Sequence, residues 1–156
     1  MIDRIKKYLI DGEGESLDYK QEISSASKIA KTMVSFANLK GGVLLVGVRD
    51  NRSIAGIRSE DEKYMLELAA SFYCKPEINL ELEEHNIGGK IILECTVPEG
   101  EFKPYSAKGE DGKWWVHIRN KDKSLLASKI VVDVLKRQAS NKGTLIKYGK
   151  NEEALL

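Results

Sequence analysis

Residues 31–56 read KTMVSFANLKGGVLLVGVRDNRSIAG, and their succession of helix, turn and strand signals decides the fold. Ile29, Met33 and Ala37 recur at helical spacing and Ala30 and Val34 widen the stripe, so the pattern predicts a helix over 27–39. Ser24, Ser25 or Ser27 can cap its start by accepting from an early backbone N–H. Gly41 and Gly42 end it, because paired glycines tolerate left-handed backbone and clear side chains from a reversal. The run VLLVGV over 43–48 is too continuously apolar for a sheet with one wet face, which predicts a central strand covered on both sides. Asn38 is expected to order the turn through its side chain, and Gly47 and Gly56 to serve the backbone beyond it.

Upstream, Ile2, Ile5 and Leu9 suggest a short amphipathic helix ended by Asp11-Gly12. The acidic arm GEGESLDYKQE over 12–22 alternates as a strand does, but reads equally as a loop. Downstream come a short strand over 53–57 and a second long helix over 60–73, carrying Met65, Leu68, Ala69 and Phe72 inward until Lys75-Pro76 stops it. Ile78, Leu80 and Leu82 alternate as a half-buried strand, and a turn at 86–89 leads into a strand over 91–97, with His85 expected exposed in that turn. A strand over 114–119 and a helix over 128–138 complete the pattern; alternation sends Trp114 and Trp115 to opposite faces, so at least one is expected in the core. The mixed order predicts one α+β domain over 1–140, a mixed β-sheet with packed helices. The tail 141–156 ends in NEEALL, which reads as a frayed end or as the first turns of a further, truncated module.

The chain has 156 residues and 42% hydrophobic content, enough for one sizeable core, and a formal charge of +1. That charge is unevenly distributed: residues 1–102 hold 13 basic and 18 acidic side chains, whereas 103–150 hold 12 basic and 4 acidic. So basic a C-terminal third can attract polyanions. Cys74 and Cys95 sit in apolar sequence without metal or redox spacing and read as small buried hydrophobes. No stretch approaches 18 apolar residues and the first 12 are too charged for a signal peptide, so the expectation is a cytoplasmic protein without a membrane partner.

Neither phosphate-loop glycine pattern is present, which argues against ATP or dinucleotide chemistry, and two histidines offer no nucleophile arrangement. Glu13, Glu15 and Asp18 crowd the arm and Asp50 follows the central strand. If the arm pairs beside that strand, Glu13, Asp18 and Asp50 could converge as hard ligands for Mg²⁺ or Mn²⁺ and activate water against a phosphodiester; equally, they form a solvated acidic edge. Lys103, Lys108, Lys113, Arg119, Lys121 and Lys123 flank Tyr105, Trp114 and Trp115, a composition suited to phosphate contact with base stacking, and equally to an ordinary solvated edge.

Taken together, GEGESLDYK, KTMVSFANLKGGVLLVGVRDNRSIAG and VPEGEFKPYSAKGEDGKWWVHIRNKDKSLLAS resemble the Schlafen AlbA-type DNA-binding domain of bacterial proteins, roughly over 12–138. The resemblance implies a Schlafen AlbA-like α+β fold and a role in DNA or RNA binding, often tied to transcriptional regulation, with no cofactor for binding itself. Related proteins also carry an ATP-binding label that no motif here matches. By this resemblance Lys20, Lys40, Lys103, Arg119, Lys121 and Lys123 are the expected phosphate contacts. Animal Schlafen ribonucleases hold a divalent metal with three acids similar to Glu13, Asp18 and Asp50, which implies a metal-dependent endoribonuclease as the alternative; a homodimer would then restore the second lobe of those enzymes. A non-catalytic protein-interaction role is the third reading.

Overall fold

The computed structural model describes residues 1–58 and 60–149, with side chains through residue 139, so the expectation for NEEALL lies outside the described residues. Helix α1 (Asp3–Asp11) leads into β1 (Leu17–Lys20), then α2 (Ala26–Ala37), β2 (Gly42–Val46) and α3 (Asp61–Phe72). There follow β3 (Cys74–Lys75), the hairpin β4 (Glu81–Ile87) and β5 (Lys90–Val97), β6 (Ser106–Lys108), β7 (Trp114–Asn120), β8 (Lys123–Leu126) and α4 (Lys129–Gly149). The strands form two four-stranded sheets, ordered β1-β2-β5-β4 and β3-β6-β7-β8. Only β1 and β2 pair in parallel; all other pairs are antiparallel.

The α+β class is as expected, and β2 is the central strand that its sequence demanded. Leu44 and Val46 point into one cluster with Met33, Phe36 and Leu66, while Val43 and Leu45 point into another with Ile5, Tyr19 and Ile92. A strand whose alternate residues meet a helix on either side needs no polar face, which explains the unbroken apolar run. Helix α2 is itself buried between the two sheets: all its residues are buried except Lys28 and Lys31. Ser25 caps it by accepting from Lys28 N at 3.2 Å. Its end is forced by Gly41, at φ +79°, where a Cβ would meet Val97 O and Glu99 N at 2.7 Å.

Several local expectations are corrected. Residues 53–57 supply only a single bridge, Val48 to Ile54, because the chain leaves the sheet after Gly47 folds against the Gly56 backbone. In α3 the buried residues are Glu62, Leu66, Ala69 and Ala70, and Phe72 is 71% exposed, since the last turn outruns the core beneath it. Ile78 and Leu80 precede β4 rather than belonging to it. His85 stands within β4, opposite Ile92, because Gly88 and Gly89 make the turn tight enough for the strand to run on to Ile87. Trp114 and Trp115 are 39% and 44% exposed, so neither is a core residue. Helix α4 continues past the expected end at Gln138 to Gly149. Cys74 and Cys95 are buried thiols whose pKa values burial pushes up to about 12, as small hydrophobes require. No helix of the described residues is long and apolar enough to cross a membrane.

Candidate nucleic-acid interface

The two sheets are joined by a buried charge pair. Arg119, the penultimate residue of β7, is 3% exposed, and its Nη2 donates to Asp18 Oδ1 at 2.9 Å from the opposite sheet. The same guanidinium donates to Gly14 O at 3.0 Å, to Leu17 O at 3.3 Å and to the Ser124 hydroxyl at 3.3 Å, and lies 4.9 Å from the Phe36 ring. Four of its five N–H donors are spent within the protein and the side chain is buried, so Arg119 is not the exposed cation that the sequence suggested. It positions the β7–β8 hairpin against β1. Asn38 acts in parallel: Nδ2 donates to Tyr105 O at 2.9 Å and His117 O at 2.8 Å, and Oδ1 accepts from Tyr105 N at 2.7 Å. Its side chain therefore ties α2 to the second sheet instead of ordering the Gly41-Gly42 turn.

The expected lysines fall into two groups. Lys121, at φ +55° in the turn, and Lys123 are exposed on the hairpin that Arg119 holds. Lys20, 43% exposed along its side chain, reaches back to Asp18 Oδ2 at 3.3 Å and so stands beside the same joint. Lys40 is exposed at the mouth of a cleft of about 650 Å³ formed by the end of α2, the 99–103 loop and α4, with Glu15, Ser16 and Lys103 also in its wall. Lys103 is only 10% exposed; its ammonium donates to Leu39 O at 3.1 Å and Glu99 at 2.9 Å, and so holds that loop rather than facing solvent.

The acidic residues are brought into one electrostatic neighbourhood. Burial, a hydrogen bond with Asp18, and the charges of Asp18 and Asp50 raise Glu13 to about 7, against the opposing bond that Tyr19 N donates to Glu13 Oε2 at 3.2 Å. A Glu13 that keeps its proton near neutrality gives Asp18 a hydrogen to accept, which matters because the buried Asp18 Oδ2 otherwise has no hydrogen-bond partner. That oxygen already faces one cation, the Lys20 ammonium at 3.3 Å. The trio does not gather as metal ligands do: among the described residues only Glu83, His85 and Glu94 place ligand atoms within 4.8 Å of one another. Glu13, Asp18 and Asp50 therefore do not present one oxygen each to a shared ion, and Asp18 already neutralises Arg119.

Sequence reading missed the Glu83, His85 and Glu94 group, although Glu83 and His85 at strand spacing i, i+2 were a usable signal. His85 Nε2 lies 2.9 Å from Glu94 Oε1, and Arg4 from α1 fills the remaining space, with Nη2 2.7 Å from Glu94 and 2.8 Å from Glu83. The Arg4 hydrogen bond holds the Glu94 carboxyl below its ordinary pKa, and the cluster pins α1 to its sheet.

Comparison with known proteins agrees with this architecture. The Schlafen, AlbA_2 family model matches residues 13–128. Among solved structures, the DIP2311 protein of Corynebacterium diphtheriae is 18% identical with a TM-score of 0.58 over 79% of this chain. The N-terminal domain of a Nitrosomonas europaea protein, provisionally assigned as a RecG-related ATP-dependent DNA helicase, is 23% identical with a TM-score of 0.50 over 76% of this chain. The match spans 24% of the first of those chains and 86% of the second, and at such identities the likeness is one of fold. No curated protein matches. Membership of the family supports a nucleic-acid-binding role in general terms. With a family model matched over most of its length, and with the fold to go with it, the chain belongs to the Schlafen AlbA_2 family.

Proposed function

We propose that this domain binds nucleic acid through its phosphate backbone, with Lys121 and Lys123 as the leading contacts and Lys20 and Lys40 as flanking ones. The observation that carries the reading is the buried Arg119–Asp18 pair, which fixes an exposed lysine hairpin to the rigid frame of both sheets. Cations held on a rigid element lose less freedom on binding than cations on a loose loop. Backbone contacts of this kind favour polyanions of either sugar and discriminate little between sequences. The fold leaves DNA and RNA, and a part in transcriptional regulation, on an equal footing; the duplex and hairpin arms of the experiment separate the first two.

The metal-dependent nuclease reading receives less support, because the three acids do not share an ion's distance and one of them is committed to Arg119. Glu13, whose pKa burial and the neighbouring Asp18 raise to about 7, stands beside that joint instead.

The test is binding of a labelled DNA duplex and a labelled RNA hairpin at low salt, for wild type and for Lys121→Glu combined with Lys123→Glu. The double variant is expected to lose about tenfold or more in affinity for both ligands, as removal of two phosphate contacts requires. Equal affinity of the two proteins, or no binding by wild type, defeats the reading.

A further inference from the structure

The outer face of the second sheet, turned away from α2, carries a composition that the lysine hairpin alone does not explain. Residue pairing puts Lys75, Ser106, Lys108, Trp114, Val116, Ile118, Leu125 and Lys123 on that face, since Lys75 opposes Ser106, Lys108 opposes Trp114, and Ile118 opposes Leu125. The opposite face holds Cys74, Ala107, His117 and Arg119, which are buried beneath α2. Trp114 is 39% exposed and Leu125 42% exposed, while Val116 and Ile118 are half-buried, so an apolar band with an aromatic end lies open among the described residues. Lys75 Nζ stands 5.6 Å from the centroid of the Trp114 ring.

Charge decides what such a face can accept. No Asp or Glu occurs on any strand of this sheet; Glu110, Asp111 and Asp122 lie in the hairpin loops beyond its ends. Lys108 on β6 and Lys75 on β3 stand on one side of Trp114 at one end, and Lys123 stands at the other, roughly 20 Å away along six strand residues. An aromatic ring flanked by two ammonium groups on one side, followed by an apolar strip and a further cation, suits a chain that alternates flat apolar rings with anionic links. A rigid duplex hides its base faces and cannot use the ring.

Resting on the nucleic-acid reading above, we infer that this face is a platform for single-stranded nucleic acid, with one base stacked on Trp114 and adjoining phosphates on Lys75, Lys108 and Lys123. Lys75 is the movable member: an arriving base takes its place over the ring and the ammonium turns to the accompanying phosphate. Stacking of this kind accepts any base, so the platform selects unpaired strands rather than sequences. It also gives the two exposed tryptophans distinct positions, since Trp115 lies on the other side of the strand.

Titration of a Trp115→Phe protein with a twelve-residue oligothymidylate tests the platform, because Trp114 then provides the indole fluorescence alone. Quenching on addition is expected, with affinity for the oligonucleotide lowered about five- to a hundredfold by Trp114→Ala. Trp114→Phe, which keeps a ring, should restore much of that loss, and this separates stacking from a folding defect. Lys75→Glu with Lys108→Glu should weaken the same ligand while leaving duplex affinity within about twofold, since the duplex contacts are assigned to the hairpin. If duplex and hairpin ligands bind but Trp114 fluorescence and affinity stay unchanged with the oligothymidylate, the platform is wrong and the backbone-binding reading survives. Absence of binding to any of these ligands defeats both. Sedimentation that shows a dimer sensitive to Trp114→Ala, with no quenching by the oligonucleotide, assigns the face to a second copy and overturns the proposal.

Discussion

The two sheets of this domain have similar size and opposite electrostatics. Strands of the first carry Asp18, Glu81, Glu83, Glu84 and Glu94 against Lys20 and Lys90, whereas the second carries Lys75, Lys108, Arg119 and Lys123 and no carboxylate. The first is covered on both faces, by α1 on one side and α2 on the other, and its charges are consumed in ion pairs such as Arg4 with Glu94 and Lys63 with Glu84. Among the described residues the second is covered on the α2 face and open at Trp114 and Leu125 on the other. Scaffold and binding surface are thus separate layers, and Arg119–Asp18 is the point at which the basic layer is fastened to the acidic one.

Breaking that fastening should produce the largest effect. Arg119→Ala strands a buried carboxylate and is expected to cost about 3–5 kcal/mol in urea unfolding. Arg119→Lys should recover only part of it, because an ammonium with three donors cannot serve four acceptors spread over Gly14, β1 and β8. Next, Asn38→Ala removes the three bonds that join α2 to Tyr105 and His117 and leaves buried peptide groups unpaired, for about 2–4 kcal/mol by the same measurement.

A smaller effect should appear as pH dependence. The folded Glu13 titrates near 7, above the ordinary value of 4.5, so the folded state holds a proton that the unfolded chain releases between those values. The stability contributed is complete below about pH 4.5 and is lost as pH rises through 7. Glu13→Gln, always neutral, should flatten that window by on the order of 1 kcal/mol, a figure reduced for partial solvent exposure. A variant with unchanged slope would show that Asp18 is satisfied without Glu13. Smallest in stability should be Lys121→Glu and Lys123→Glu, within about 0.5 kcal/mol because both side chains are exposed. Their effect belongs to binding.

The sequence was most legible where local chemistry and tertiary demand coincide. The stripe from Ile29 to Ala37, the Gly41-Gly42 reversal and the apolar β2 each follow from period, backbone freedom and burial, and each is found within about two residues of its expected bounds. Legibility failed where a side chain is claimed by a distant partner. Arg119 looked like a free cation at a strand end, yet its partner Asp18 lies 101 residues earlier, a separation that no spacing rule spans. The tryptophans were misread for the converse reason: alternation fixes which face each takes, but not whether anything covers that face. Crowding of Glu13, Asp18 and Asp50 was visible in the chain; whether they share a metal or a proton depends on oxygen positions set by β1 and the turn after β2.

The central claim is that the basic layer supplies the leading phosphate contacts and the acidic layer, apart from Lys20 at the joint, supplies none. Its most direct measurement is the salt dependence of nucleic-acid binding, taken as the slope of log affinity against log salt for wild type, for Lys121→Glu with Lys123→Glu, and for Lys63→Glu with Lys90→Glu on the acidic layer. The slope should fall by about 2 in the hairpin variant and stay at the wild-type value in the other. A slope changed equally by both pairs, or by neither, would contradict the division of labour between the sheets.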